Sequence, residues 1–194
     1  MNLALVRYNA GNIQSVTYAL ERLGVTPLLT DDPEALRSAD KVIFPGVGEA
    51  STAMQYLRQA GLDEVMRSLR QPVLGICLGM QLMCSHSDEN DTPCLGIFGH
   101  QVHRFPDGAL KVPHMGWNLL TELRSPLMQD LGDAPYVYFV HSYYVEPGPY
   151  TIALSDYGLP FSAALHRDNF YATQFHPEKS GSPGARILEN FLRL

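Results

Sequence analysis

The sequence predicts an α/β fold in which a mainly parallel central sheet is flanked by helices, with additional antiparallel strands in the second half. In the first half of the chain, strand-like apolar runs alternate with helix-like segments, which is typical of parallel sheets. From about Gly96 to Tyr171 the segments are shorter, with alternating side chains and many glycines and prolines. That pattern favours antiparallel strands added to the parallel core.

Three apolar runs in the first half are interpreted as buried strands: LALVRY, the KVIF of KVIFPGVG, and PVLGI. The segment after the first run has apolar residues at helical spacing, begins after Asn12 as a cap and stops at Gly24. The short segment VTPLLT follows it. Further helices are predicted, in chain order, at DDPEALRSA, EASTAMQYLRQAGL, DEVMRSLR and LGMQLMCSH.

The second half ends in an amphipathic helix, GARILENFLRL, which has four large apolar residues on one side. The candidate strands before it are GHQVHRF, TELR, YVYFVHSYYV, YTIALSDY, FSAALHR and FYATQFH. Since no repeat, low-complexity segment or linker divides the sequence, we expect one domain over residues 1–194.

Charge and hydropathy exclude several classes of function. The net charge of −6 argues against nucleic acid or an anionic membrane as a main partner. The sequence has no apolar run of about 18 residues, so we expect no transmembrane helix. The first residues, MNLALVRYNAGN, lack a cationic leader and do not have the pattern of a signal peptide.

The three cysteines, Cys77, Cys84 and Cys94, are odd in number and contain no Cys-x-x-Cys pair. That spacing favours neither a disulfide framework nor a zinc site. A reducing, cytoplasmic environment is therefore expected.

One of these cysteines lies in a distinctive context, GICLGMQ, where Cys77 is held between Gly75 and Gly79 after a predicted strand and before a predicted helix. The pattern has the form of a nucleophile elbow, in which small neighbours permit a sharp, strained turn. A helix N-terminus favours the thiolate, and the N–H of Leu78 would form half of an oxyanion hole. The alternative is a buried structural cysteine, and these residues alone leave both interpretations open.

A cysteine nucleophile requires a base, and His176 in FYATQFHPEKS is the candidate among the seven histidines. It follows an alternating strand, and Pro177 favours an extended backbone before it. Side chains two residues apart in an extended chain point the same way, so Glu178 is predicted to orient the imidazole. On its own, His-Pro-Glu is more typical of a loop.

The segment FPGVGEA supplies a third candidate element, because a strand there ends in Pro-Gly-x-Gly. Without a Cβ in the way, its backbone amides can approach an oxyanion, and Val47 or Gly48 is predicted to donate the second hydrogen bond. The alternative is a plain glycine turn before a helix.

Together, PGVG, GICLGMQ and FHPE resemble, in order and spacing, the class I glutamine amidotransferases with a Cys-His-Glu triad. The resemblance implies that Cys77 attacks the side-chain amide of glutamine. It implies that His176 protonates the departing ammonia and then activates water, while Glu178 orients His176. It implies no cofactor and no metal. The residues implied to hold the substrate are Gln81, Ser142 and Tyr143.

Four further motifs, YNAGN, PHMGWN, FVHSYY and HPEKS, resemble the glutaminase subunits of imidazole glycerol phosphate synthase in histidine biosynthesis. That resemblance implies a heterodimer with a barrel-shaped cyclase subunit, which receives the ammonia. The residues implied to face this partner are Asn12, Trp117 and Lys179. Each also has a structural interpretation: a helix cap, a core residue and a loop charge.

The glycines of PGVG lead to a hypothesis about control, because they permit a peptide flip. We expect the isolated subunit to be nearly idle and the partner with its ligand to favour the active arrangement. The alternatives are a free-standing thiol γ-glutamyl hydrolase, a binding module that keeps only the fold, and the glutaminase subunit of another amidotransferase.

Overall fold

The computed structural model describes residues 1–9, 11–108 and 110–194. The helices of these residues are α1 (Ile13–Arg22), α2 (Pro33–Ser38), α3 (Ala50–Gln59), α4 (Leu62–Ser68), α5 (Leu78–Met83) and α6 (Gly181–Arg193), with 3₁₀ turns at Pro126–Met128 and Pro177–Lys179. The strands are β1 (Leu3–Val6), β2 (Leu28–Thr30), β3 (Lys41–Phe44), β4 (Val73–Ile76), β5 (His86–Ser87), β6 (Thr92–Pro93), β7 (Gln101–Arg104), β8 (His114–Leu119), β9 (Tyr136–His141), β10 (Tyr143–Val145), β11 (Thr151–Asp156), β12 (Pro160–Arg167) and β13 (Phe170–Thr173).

A seven-stranded sheet in the order β11-β12-β13-β4-β3-β1-β2 forms the centre of the molecule. The five strands from β13 to β2 are parallel, and β12 and β11 continue the sheet in antiparallel pairing. The predicted fold class, a parallel core extended by antiparallel strands, is therefore confirmed.

Helices cover both faces of this sheet, which explains why β1, β3, β4 and β13 are buried along their whole length. One face packs against α1 and α6, and the other against α2, α3, α4 and α5. A row of aligned residues, Leu5, Ile43, Leu74 and Tyr171, faces α1 and α6. The predicted amphipathic C-terminal helix is confirmed, with Ile187 and other apolar residues buried.

Two small sheets lie beyond the central one, with the orders β10-β7-β5-β6 and β8-β9. The predicted single strand YVYFVHSYYV is wrong, because the chain turns at Ser142 and divides between these sheets. His141 closes the turn: its Nδ1 lies 2.7 Å from the Tyr143 carbonyl. The paired strand β8 was not predicted, since Pro113 and Gly116 interrupt the apolar alternation of PHMGWN.

Two other predicted elements differ from the structure. The strand predicted at TELR is wrong: Thr121 forms only an isolated bridge with Leu154, and Glu122 has a positive φ of 52°, which no extended strand accommodates. The helix predicted at LGMQLMCSH ends at Met83, and His86 already begins β5. Within the described ranges, no helix combines the length and the apolar character needed to span a membrane.

Candidate active site

Four parallel strands, β1, β3, β4 and β13, end at the same edge of the central sheet, and every predicted catalytic segment follows one of them. The first loop follows β1, PGVG follows β3, Cys77 follows β4, and His176 lies beyond β13. The carboxyl edge of a parallel sheet is where α/β proteins place their reactive groups.

Cys77 occupies the sharp turn between β4 and α5, with φ 54° and ψ −107°. A Cβ added at Gly79 would lie 2.0 Å from the carbonyl oxygen of Phe44, and one at Gly75 would lie 2.9 Å from the Met83 sulfur. Both glycines are therefore required by the close approach of α5 to the sheet. The predicted glycine-flanked, strained turn is confirmed.

His176 and Glu178 form a fully buried pair, in which the imidazole Nδ1 lies 2.7 Å from a carboxylate oxygen. The backbone of His176 is extended, as expected before Pro177. Glu178 itself lies in the 3₁₀ turn Pro177–Lys179, so this turn, and not an extended chain, carries its side chain back to the imidazole.

The surroundings of His176 favour an imidazolium. Burial lowers its pKa, but interactions with the Cys77 sulfur and with the Glu178 carboxylate outweigh that effect and raise the pKa to about 10. The other ring nitrogen, Nε2, is buried and meets no hydrogen-bond partner of standard geometry in the described ranges. Because Nδ1 faces Glu178 and Cys77 also interacts with the imidazole, Nε2 is the atom available to exchange a proton with the cysteine.

Asn12 contacts the same carboxylate. Its backbone is left-handed, with φ 71°, and its side chain makes no capping bond to α1 although it precedes that helix. The amide instead donates a hydrogen bond to the Glu178 oxygen that faces His176. Asn12 does occupy the N-cap position of α1, where its carbonyl accepts from the Val16 N–H, but its side chain does not cap the helix and instead contacts the predicted triad.

The oxyanion turn, residues 45–48, is held in a closed arrangement. The backbone N–H of Leu78 donates to the Gly46 carbonyl at 3.2 Å. The carbonyl of Gly46 and the N–H of Val47 belong to one planar peptide and point in opposite directions. In this state the N–H of Leu78 is already bonded to the Gly46 carbonyl, and the N–H of Val47 points away from Leu78.

A cavity of about 350 Å³ opens beside Cys77 and brings together the residues predicted for the oxyanion hole and the substrate. Its lining consists of Val47, Gly48, Cys77, Leu78, Gln81, Glu89, Pro113, Val140, His141, Ser142 and Tyr143. The small sheets contribute one wall, because the last two of these residues lie where β9 turns into β10.

Glu89 is a lining residue that the sequence analysis missed. It is half-buried, accepts a hydrogen bond from the Ala50 backbone N–H at 2.7 Å, and has its pKa raised by burial. Among the described lining residues it is the one carboxylate. Its polar neighbourhood in the sequence, SDEND, has the appearance of a solvated loop and carries no signal of this position.

Gln81 and Gln174 lie side by side beneath the cavity. The Gln81 amide nitrogen lies 3.2 Å from the Tyr143 carbonyl and 3.0 Å from the Gln174 side-chain oxygen. Gln174 is fully buried and was also missed, because a glutamine within the candidate strand FYATQFH belongs to no motif of its own.

Trp117 and Lys179 lie outside the cavity. The Trp117 side chain is 56% exposed on β8, so the interpretation of it as a core residue is wrong. Its ring centroid is 6.1 Å from that of Tyr138 on β9, and Met115 and Tyr136 of the same two strands are also exposed. Lys179 is exposed directly after Glu178.

Comparisons with known proteins agree with this geometry. The sequence profile of the family described as glutamine amidotransferase class-I matches residues 5–194. The chain is 59% identical to the imidazole glycerol phosphate synthase subunit HisH of Bacteroides fragilis, over 100% of both chains. It is 60% identical to the protein of the same name from Bacteroides thetaiotaomicron, again over 100% of both, and 48% identical to that of Pasteurella multocida, over 98% of this chain and 97% of the relative.

Solved structures share the fold. A putative GMP synthase subunit from Thermoplasma acidophilum superposes with a TM-score of 0.77 at 22% identity, covering 100% of this chain and 93% of that one. PurLQS from Thermotoga maritima superposes with a TM-score of 0.74 at 17% identity, covering 99% of this chain and 97% of that one.

Proposed function

This chain belongs to the class-I glutamine amidotransferases, and within them to the family of HisH subunits of imidazole glycerol phosphate synthase, and we propose that it releases ammonia from L-glutamine for a cyclase subunit. The observation that carries the proposal is the geometry at Cys77. A strained cysteine faces a cavity beside a buried imidazole–carboxylate pair, in which 2.7 Å separates the His176 nitrogen from a Glu178 oxygen.

In this proposal Cys77 attacks the side-chain carbonyl carbon of glutamine and forms a tetrahedral intermediate. His176 transfers its Nε2 proton to the amide nitrogen, and ammonia leaves as the carbon–nitrogen bond breaks. The resulting thioester is hydrolysed by a water that His176 deprotonates, which breaks the carbon–sulfur bond, releases glutamate and restores the thiolate beside a protonated His176. Glu178 keeps the imidazole oriented and stabilises its charged form throughout.

The lining of the cavity supports an orientation for glutamine. The α-amino group of the substrate is a cation, and Glu89 supplies a carboxylate. Gln81 faces the substrate through its side-chain oxygen, because both of its N–H groups are directed at Tyr143 and Gln174. That oxygen accepts from the same amino group, while Ser142 and the Tyr143 backbone bind the α-carboxylate of glutamine.

The closed oxyanion turn supports control by a partner. One rotation of the peptide between Gly46 and Val47 would release the Leu78 N–H and turn the Val47 N–H towards the cavity. Both donors would then face the developing oxyanion, and each is worth about 3–4 kcal/mol of transition-state stabilisation. The isolated chain rests in the closed state, and cyclase with its nucleotide ligand favours the open one.

The exposed face of the β8–β9 pair, with Met115, Trp117, Tyr136 and Tyr138, supports a docking surface beside the triad. Exposed aromatic and methionine side chains are typical of protein interfaces, and the exposed Lys179 follows Glu178 directly in the sequence. Asn12, the third residue implied to face the partner, contacts the triad through Glu178. The proposal includes one amidotransferase domain over residues 1–194, working in the cytoplasm within histidine biosynthesis.

The rate of glutamine hydrolysis tests this function. The purified chain is assayed alone, with cyclase subunit, and with cyclase plus its nucleotide ligand. We expect little activity alone and a rise of at least about a hundredfold in the liganded complex, equivalent to about 2.7 kcal/mol. Full activity of the isolated chain would instead indicate a free-standing thiol hydrolase, and no activity in any mixture would indicate a binding module.

A further inference from the structure

We propose that Gln174 is a further catalytic residue, whose side-chain N–H donates a hydrogen bond to the sulfur of Cys77 and stabilises the thiolate. The inference rests on the proposed function in taking Cys77 as the nucleophile. Gln174 is fully buried directly beyond β13, and its amide nitrogen lies 3.8 Å from the sulfur. That distance is within the range of N–H···S hydrogen bonds.

The direction of this amide follows from its neighbours. The Tyr143 backbone carbonyl can only accept, so the Gln81 atom 3.2 Å from it is the NH₂ group. The same NH₂ lies 3.0 Å from the Gln174 side chain, which must therefore present its oxygen there. The nitrogen of Gln174 is consequently the atom that faces Cys77.

A pair of buried histidines supports the Tyr143 carbonyl that sets this direction: His141 contacts the carbonyl, and His114 contacts His141. His141 Nδ1 lies 2.7 Å from it and must carry a proton, because the carbonyl cannot donate. The other nitrogen of the neutral ring then accepts from His114 Nδ1, at 3.0 Å. The His114 ring stacks on Tyr157, with ring centroids 4.0 Å apart. This series of hydrogen bonds therefore begins at an imidazole whose position is fixed by packing.

A continuous series of hydrogen bonds therefore runs from His114 through His141, the Tyr143 carbonyl and the two glutamines to the sulfur. Each hydrogen bond in this series has one allowed direction. The last donor in the series, the side-chain N–H of Gln174, faces the Cys77 sulfur, whose charge changes during the reaction. When glutamine is attacked, the sulfur gives an electron pair to the new carbon–sulfur bond. When the thioester is hydrolysed, that bond breaks and the pair returns to sulfur. A donor at the sulfur stabilises the thiolate more than the thioester.

Alkylation of Cys77 by iodoacetamide tests the proposal without glutamine or cyclase. The rate is measured from pH 5 to pH 10 on the full chain and on Gln174→Met, which keeps the length of the side chain and removes the donor. The pH of half-maximal rate should rise by about one unit, which is a tenfold fall in the ratio of thiolate to thiol. The plateau rate at high pH should not fall, because a thiolate without the donor is at least as nucleophilic.

Other ionisable groups around Cys77 are common to both proteins. They are His176 with Glu178, His141, Tyr8 and Glu89. A merely structural role of Gln174 would lower the plateau or leave the midpoint unchanged, and either result overturns the proposal. Gln174→Glu, which retains the shape and replaces N–H by oxygen, should move the midpoint upward at least as far.

Nitrogen-15 NMR of the imidazoles supplies a test on the unaltered protein. At pH 7 both His114 and His141 should be neutral with the proton on Nδ1. A proton on Nε2 of His141, or a charged ring at either position, would remove the basis for the direction of the Gln174 amide. Because neither experiment requires turnover, a chain without glutaminase activity would still give an answer on Gln174.

Discussion

At the scale of single residues, the site concentrates its interactions on one oxygen of Glu178. That oxygen accepts from both His176 and Asn12, while the other carboxylate oxygen is buried with no protein donor in the described part of the chain. A carboxylate in this position has its charge balanced chiefly by the imidazolium. The pair is therefore built to keep His176 charged and oriented.

Replacing the carboxylate tests this role. Glu178→Gln keeps the shape but removes the charge that raises the pKa of His176, so the pKa should fall and the imidazole should lose its fixed orientation. Glutamine hydrolysis by the liganded complex should decrease by roughly a hundredfold to ten thousandfold. Glu64→Gln, at an exposed position on α4, is the matched control and should retain the wild-type rate.

Asn12 gives a second prediction at this scale. Asn12→Ala deletes a donor to a buried carboxylate and should lower the free energy of unfolding of the isolated chain by about 1–3 kcal/mol. Asn12→Asp, which places a second carboxylate there, should cost more. Urea unfolding measures both. Wild-type stability of both variants would indicate that Asn12 serves only the partner surface.

At the scale of elements, the glycines around Cys77 determine how closely α5 approaches the sheet. Gly79 lies against the Phe44 carbonyl of β3, so that helix and strand meet through backbone atoms. This contact fixes the turn that presents Cys77 to the cavity. It also positions the N–H of Leu78, the first residue of α5, beside the oxyanion turn.

Gly79→Ala should therefore destabilise the chain strongly. Its Cβ would lie 2.0 Å from a backbone oxygen, which cannot move without displacing β3. We expect a loss of about 2–3 kcal/mol in the free energy of unfolding. Gly99→Ala, where nothing lies within 4 Å of the added Cβ, should change stability by less than about 0.5 kcal/mol. Equal unfolding midpoints for the two variants would contradict this account of the elbow.

The sequence predicts those elements that are determined by local composition, and it does not predict those whose hydrogen-bond partners lie far away in the chain. Continuous apolar runs such as PVLGI form strands covered on both faces, and they are recognisable from composition. The boundary at Ser142 is not recognisable from composition, because the residues on both sides of it form strands, although in different sheets. The bridge at Thr121 depends on a distant partner, Leu154.

The candidate site divides in the same way. Cys77 and His176 lie in motifs whose residue types and spacing carry the chemistry. Glu89 and Gln174 act through their position alone, since a loop glutamate and a strand glutamine have many other uses. Their roles become visible only when tertiary structure brings them to the cavity and the sulfur.

At the scale of the whole molecule, buried imidazoles link stability to pH. Burial lowers the pKa of His114 to about 4 and that of His141 to about 3, so both stay neutral in the fold at neutral pH. In the unfolded chain a histidine takes up a proton below about pH 6.5. The unfolded state therefore binds more protons in acid, and the free energy of unfolding falls as the pH falls.

We expect that free energy to decrease by roughly 2–3 kcal/mol per pH unit below about pH 6, since each histidine contributes up to about 1.4 kcal/mol. His176, with its pKa raised to about 10, acts in the opposite sense and its contribution is lost as the pH rises from 6.5 to 10. Urea unfolding at pH 7, 6 and 5 measures the slope. A flat profile would contradict neutral buried rings.

Glutamine hydrolysis by the liganded cyclase complex, compared among wild type, Cys77→Ala and Cys84→Ala, tests the central claim most directly. Cys84 is buried at the end of α5, away from the cavity, and its replacement should retain most of the activity. Cys77→Ala should retain less than about a thousandth of the wild-type rate, because no nucleophile remains to form the thioester. Substantial hydrolysis by Cys77→Ala would contradict the account.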